Sequence, residues 1–212
     1  MDKGFIERQA TAWTTYLDRF EVHGSETYSG WGSKVGLTKP IRDWLPSIFE
    51  RYGIKTMLDA PCGDRNWIQH VDLTGIDYTG WDVEPFIIDH NRARFPDCNL
   101  SVVNLLTVDS VPKVDLILCR DFMIHLPNEC ITLVLEKFKA SGSRYLAATH
   151  YPGAPNDASC PLDGGDENLP GYYCRPINLE AAPFSLAGRI EGVPEFPGGS
   201  NHELALFDLG QT

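Results

Sequence analysis

Leu58-Asp59-Ala60-Pro61-Cys62-Gly63-Asp64 closes a short apolar run, Thr56 to Ala60, with an acid and a turn that ends in glycine. Glycine carries no Cβ, so such a turn lets another group approach the backbone closely. The next apolar run, Asp77 to Val83, ends in Gly80-Trp81-Asp82. An acid roughly 20 positions beyond the turn glycine is placed to bond the hydroxyls of a ribose. An Asp before a turn can also simply cap the next helix. The second acid at the second strand end makes the pattern more specific.

Outward from this pair the chain alternates. The runs at 100–106, 114–120 and 144–150 read as strands, and 66–71, 85–95 and 128–141 read as helices. That alternation predicts βαβ units and a Rossmann-like α/β fold with a mostly parallel sheet flanked by helices. Val114 to Cys119 is nearly all apolar, as a strand covered on both faces should be. Right-handed crossovers place the carboxyl ends of these strands along one edge, where the ligand crevice of such sheets lies.

Upstream, Ile6 to Phe20 reads as a helix with Ile6, Trp13, Leu17 and Phe20 on one face. Gly24 to Gly36 reads as a loop. A helix from Pro40 should stop at Gly53, with Pro46 bending it rather than breaking it. Downstream, Tyr151 to Tyr173 is rich in Gly, Pro, Asn and Asp and predicts a long loop. The runs 186–191 and 203–209 predict a C-terminal antiparallel hairpin. The expected organisation is one domain over 1–212. Residues 1–53 supply N-terminal helices and a covering loop, 54–150 a cofactor-binding core, 151–175 a lid and 176–212 the last strands.

The missing motifs narrow the ligand. A dinucleotide site needs GxGxxG, whose amides hold a pyrophosphate. Here Pro61 removes an amide and two of the glycines are absent. There is no GxxxxGK[ST] loop for a triphosphate. A nucleoside ligand with ribose but no phosphate fits better, and S-adenosylmethionine has that chemistry. The chain carries 18 Lys and Arg against 29 Asp and Glu, a formal net charge of -11. That balance argues against a nucleic-acid partner, which requires clustered cations. No stretch approaches the roughly 18 apolar residues of a membrane helix, and the N-terminus lacks a signal-peptide plan, so a cytoplasmic protein is expected. The six cysteines form no zinc spacing, and no metal is expected. Cys160 and Cys174, in one loop, are the pair to check for a disulfide.

LDAPCGD, then GWD, then VDLILCRDFMIHL resemble the successive motifs of class I S-adenosylmethionine-dependent methyltransferases. They are similar especially to bacterial proteins with a DAPCGD turn and a CRD-x-x-x-HL segment. The resemblance covers residues 55–149, and the Gly-rich loop before and Arg175 to Leu179 after are also similar. It implies that Asp59 and Gly63, with Ala60 between them, flank the methionine part of the cofactor. Asp82, followed by Val83, would bind the ribose, and Asn104 and Leu105 would sit at the adenine. The chain departs from the family where Asp is commoner than Asn104, and where Pro61 and Cys62 replace further glycines.

The fourth strand ends in Cys119-Arg120-Asp121, which this fold places beside the transferable methyl. The [DN]PP[YFW] motif of nucleobase amino-methyltransferases is absent there. His125, four positions after Asp121, is either a general base or a packing histidine, and Asp121 either faces the acceptor or orients Arg120. His150 and Tyr151 leave the fifth strand at the same edge as candidate acceptor contacts, and His150 is also a candidate catalytic residue. Trp31, Trp67 and Phe122 are candidate cofactor walls, or plain packing. The acids of 163–167 would attract a cationic acceptor, or form a solvated turn. Arg120 and Arg175 would serve if the acceptor were anionic. The expectation is N-methylation of a small-molecule amine by a monomer or homodimer. The alternatives are O-methylation of a carboxylate or hydroxyl, or cofactor binding without catalysis.

Overall fold

The computed structural model describes residues 26–156, 174–199 and 201–211. The expected helix at 6–20, Cys160 and the acids of 163–167 lie outside the described residues.

Among the described residues, seven strands form one sheet in the order β3-β2-β1-β4-β5-β7-β6. They are β1 Thr56–Asp59, β2 Asp77–Asp82, β3 Asn99–Val102, β4 Leu116–Cys119, β5 Tyr145–His150, β6 Arg189–Pro194 and β7 Glu203–Asp208. β1 to β5 run parallel, and β7 inserts antiparallel between β5 and β6. The C-terminal hairpin therefore forms, with its second strand innermost. Its first strand starts three positions later than the sequence pattern implies. Gly188 turns there at φ +78, and its open α-carbon lets Asp208 O come within 2.4 Å of where a Cβ would stand.

The period-2 alternation of the strands divides the core into two layers. Leu58, Ile117, Leu146 and Phe207 face one layer, closed by Ile131, Val134 and Phe138. Met57, Leu116, Ala147 and Leu206 face the other, closed by Ile41, Leu45 and Ile48. The first of these covers is α3 (Asn128–Ala140) and the second is α1 (Lys39–Tyr52). α1 starts with Pro40 in its first turn and stops at Gly53 in the left-handed region, as its sequence requires. It runs unbroken through Pro46 because Leu45, Ile48 and Phe49 are buried on either side of the proline. α2 (Pro85–Arg94) lies against β2 and β3.

Two expected elements shrink. Only Ile68–His70 of the segment 66–71 is helical, as one 3₁₀ turn. The turn before it carries Gly63 at φ +52 and Arg65 at φ +58, so no helix can propagate out of it. The third strand ends at Val102 rather than 106, because the Asn104 side chain accepts Leu106 N–H at 2.9 Å and turns the chain. Among the described residues, no helix is long and apolar enough to cross a membrane.

Candidate active site

The turn after β1 is bound to the end of β2 by two hydrogen bonds. Cys62 N–H donates to Trp81 O at 2.8 Å, and Gly63 N–H donates to Asp82 Oδ2 at 3.0 Å. Asp82 Oδ1 accepts Glu84 N–H at 3.0 Å. From α2, the fully buried Asn91 donates to Gly63 O at 2.7 Å. The peptides on either side of Gly63 are thus both fixed. Gly63 is required here on two counts: its φ is +52, and a Cβ would lie 2.2 Å from Ser29 Oγ.

The two acids at the strand ends are buried. Burial pushes Asp59 up to about 7, against a hydrogen bond from Tyr78 Oη at 2.8 Å and the nearby Arg65 charge. Burial also pushes Asp82 up to about 6, against the amides that it accepts. Arg65 lies 4.1 Å over the Tyr78 ring and 4.8 Å from that of Phe95.

A cleft of about 820 Å³, counting the space open to solvent, lies above these residues. Tyr28, Ser29 and Ser33 of the N-terminal loop form one wall, and Val83, Glu84 and Ile87 another. At the far end stand Trp67, Arg120, Asp121 and Phe122. Arg120 is buried and bonded within this chain. Its Nε donates to Glu195 at 2.7 Å, and its second terminal nitrogen reaches Gly32 O at 2.9 Å and Asp121 Oδ2 at 3.1 Å. Burial pushes Glu195 upward against the pull of Arg120, and its other oxygen accepts Thr149 Oγ1–H at 2.7 Å. Thr149 Oγ1 in turn accepts Asp121 N–H at 2.9 Å. Asp121, at φ +49, keeps its side chain 28% exposed.

Of the residues singled out in the sequence, Asp59, Gly63, Trp67, Asp82, Val83, Arg120 and Asp121 line this cleft. Ala60 is buried beneath the turn, its N–H on Leu118 O, and Cys119 lies in the core. Leu105 is also in the core, and the Asn104 carboxamide is engaged with Leu106 N–H. Trp31 is 61% exposed and meets the edge of Phe196 at 5.1 Å between ring centres, so it walls no part of the cleft. His125 is buried in the 3₁₀ turn Met123–His125 away from the lining.

His150 is fully buried. Its Nδ1 accepts Leu179 N–H at 3.2 Å, which leaves Nε2 to donate to Glu180 at 3.1 Å. Burial holds it below the ordinary histidine range, so the ring is a neutral support for the segment 178–180. Tyr151 stacks on His202 at 4.7 Å. Arg175 is buried and donates to Leu126 O at 3.1 Å and to the Asn128 side chain.

The sequence reading missed Asp64, Thr149, Glu195 and His202. Asp64 sits inside the quoted turn and accepts Tyr28 N–H at 2.7 Å. Glu195 lies between two prolines in what reads as a hairpin turn, and nothing local signals its contact 75 positions away with Arg120. Among the described residues, no group of three His, Cys, Asp or Glu is placed to hold a metal ion.

A scan against protein-family models finds no match, and a search of curated proteins finds none either. Solved structures do match. An S-adenosylmethionine-dependent methyltransferase from Clostridium acetobutylicum ATCC 824 is 12% identical, with a TM-score of 0.57 over 81% of this chain and 91% of that one. The N-methyltransferase NodS from Bradyrhizobium japonicum WM9, solved with S-adenosylhomocysteine, is 15% identical with a TM-score of 0.56 over 79% and 85%. A possible exported protein from Bordetella parapertussis is 15% identical with a TM-score of 0.57 over 81% and 68%. The strand order, the antiparallel seventh strand and these matches agree: the chain has the Rossmann-like fold of the class I S-adenosylmethionine-dependent methyltransferases.

Proposed function

We propose that this chain is an S-adenosylmethionine-dependent methyltransferase that methylates a small molecule at an amine nitrogen. The observation that carries the reading is the charge of the cleft. Among the described residues, Asp59, Asp64, Asp82, Glu84 and Asp121 line it, against one cation, Arg120, whose guanidinium is bonded to Glu195, Asp121 and Gly32 O. Recognition of a carboxylate acceptor would call for a guanidinium fork with bonds to give. Arg175, the other arginine considered for that role, is held by Leu126 O and Asn128. An acidic cleft favours a cationic cofactor and an acceptor that arrives as an ammonium or amine.

The residues present fit that cofactor. Asp82 is held by two amides with acceptor capacity remaining on both oxygens. It would take the ribose hydroxyls. Asp59, fixed by Tyr78, would face the amino-acid end. When bound, S-adenosylmethionine supplies an electrophilic methyl that a neutral nucleophile displaces in line. The chain has then to align the nucleophile and exclude water. Asp121, anchored through its amide to Thr149 and through its carboxylate to Arg120, would accept an N–H of the acceptor and aim its lone pair. Desolvation in the cleft, against the pull of that carboxylate, would favour the neutral amine, the ammonium proton leaving to water. Incubating the protein with S-adenosylmethionine and a panel of amines tests this: a mass gain of one methylene in an amine is expected. Methyl transfer confined to carboxylic acids or hydroxyls would overturn the amine assignment.

A further inference from the structure

Asp64 has far more partners than a turn needs. Its side chain is 3% exposed, and Oδ1 accepts Thr27 Oγ1–H at 3.0 Å, Ser29 Oγ–H at 2.9 Å and Asn66 N–H at 3.2 Å. Oδ2 accepts Tyr28 N–H at 2.7 Å, and the Asp64 amide itself donates to Ser29 Oγ at 2.8 Å. The hydroxyl of Ser29 therefore faces both the amide and the carboxylate of one residue. All these partners but Asn66 lie on the N-terminal loop, 35 to 37 positions away, and Tyr28 and Ser29 are walls of the cleft.

The same loop is fastened again at the acceptor end. Gly32 O takes Arg120, and a Cβ on Gly32 would stand 2.8 Å from Asp121 Oδ2. Just outside these two fastenings, Asn66 Nδ2 donates to Glu26 and to Ser33 O. A loop that depends on side-chain hydrogen bonds at its ends opens when they break, while the sheet below keeps its own ladder.

We infer that Asp64 is a positioning residue that fastens the segment 27–33 as a strap across the cofactor half of the cleft, so that cofactor leaves only when the Asp64 bonds release. The inference rests on the cofactor reading above. The carboxylate chemistry is specific. Both oxygens of Asp64 accept, and Asp64→Asn must point an N–H₂ at a donor, either Tyr28 N–H or the Thr27, Ser29 and Asn66 group. The substitution is nearly isosteric, so it removes the fastening without opening a cavity.

The test has three readouts on wild type, Asp64→Asn and Ser29→Ala: dissociation of S-adenosylhomocysteine by stopped flow, Tm, and amide hydrogen exchange of the ligand-free protein. Asp64→Asn should release S-adenosylhomocysteine at least tenfold faster, with faster exchange confined to residues 26–35 and a Tm close to wild type. Ser29→Ala, which keeps the Tyr28 bond, should change in the same direction by less. Unchanged release in Asp64→Asn would overturn the strap, as would faster exchange spread through β1 and β4 with a fall in Tm. A wild type that binds no S-adenosylhomocysteine would overturn the cofactor reading itself. A wild type that binds, with an Asp64→Asn that matches it, would overturn only the role of Asp64.

Discussion

Asp82 joins two amides, those of Gly63 and Glu84, and still faces the cleft. Its replacement by alanine removes the acceptor for the ribose hydroxyls, and charge-assisted hydrogen bonds of this kind carry roughly 2–3 kcal/mol. Calorimetry on Asp82→Ala should therefore show S-adenosylhomocysteine affinity reduced by about that amount in a folded protein. Unchanged affinity would remove the ribose assignment. The same acid and Asp59 set a pH dependence. Their pKa values, about 6 and about 7, are raised by burial, so both are largely protonated at pH 5.5 and ionised at pH 8. Ionised carboxylates hold hydroxyls and an ammonium better, so affinity should rise across that window and level off near pH 8. Folding runs the other way for these two groups, because the unfolded acids ionise near pH 4 while the folded ones keep their protons to about 6 and 7. Their stabilising contribution is thus present at low pH and lost as pH rises through those values. Replacing Asp82 with Asn should flatten the lower part of the affinity profile, and an unaltered profile would contradict the assignment.

The ends of β4 and β5 carry residues of opposite kinds, and a pair of variants separates them. Asp121 presents a half-buried carboxylate to the cleft from a left-handed backbone position that Asn also tolerates. Asp121→Asn should lower kcat well over tenfold while leaving S-adenosylhomocysteine affinity and Tm near wild type. His150→Ala should instead lower Tm and activity together, since Leu179 N–H loses its buried acceptor at a cost of about 1–3 kcal/mol. A His150→Ala protein with wild-type Tm and no turnover would restore a catalytic role to this histidine. These elements also show which parts of the fold the sequence carried. Pro85 to Arg94 and Asn128 to Ala140 bury residues at helical spacing, and the pattern alone places them. Asn66 to Val71 has similar composition but follows two left-handed residues, Gly63 and Arg65, a backbone feature that apolar spacing does not encode. Asn104 ends β3 with its own side chain, a choice made by one hydrogen bond.

Over the whole molecule, the cofactor half of the cleft is written in one stretch of chain and the acceptor half is not. Asp59, Gly63 and Asp82 follow one another at the ends of neighbouring strands, so their spacing in sequence already implies their meeting in space. Thr149, Glu195, Gly32 and Arg120 come from β5, the C-terminal hairpin, the N-terminal loop and β4, and only the folded sheet brings them together. Two of the histidines that a sequence reading favours, His125 and His150, are buried outside the cleft lining for the same reason: position along the chain fixes the edge of the sheet, and not the side chain's direction. The central claim is that the cleft over Asp59, Gly63 and Asp82 holds S-adenosylmethionine. Calorimetric titration of the protein with S-adenosylhomocysteine at pH 8 tests it most directly. Saturable binding to one site per chain is expected, weakened in Asp82→Ala, with no comparable binding of NAD. No heat and no thermal shift with S-adenosylhomocysteine, or tight binding of NAD, would contradict it.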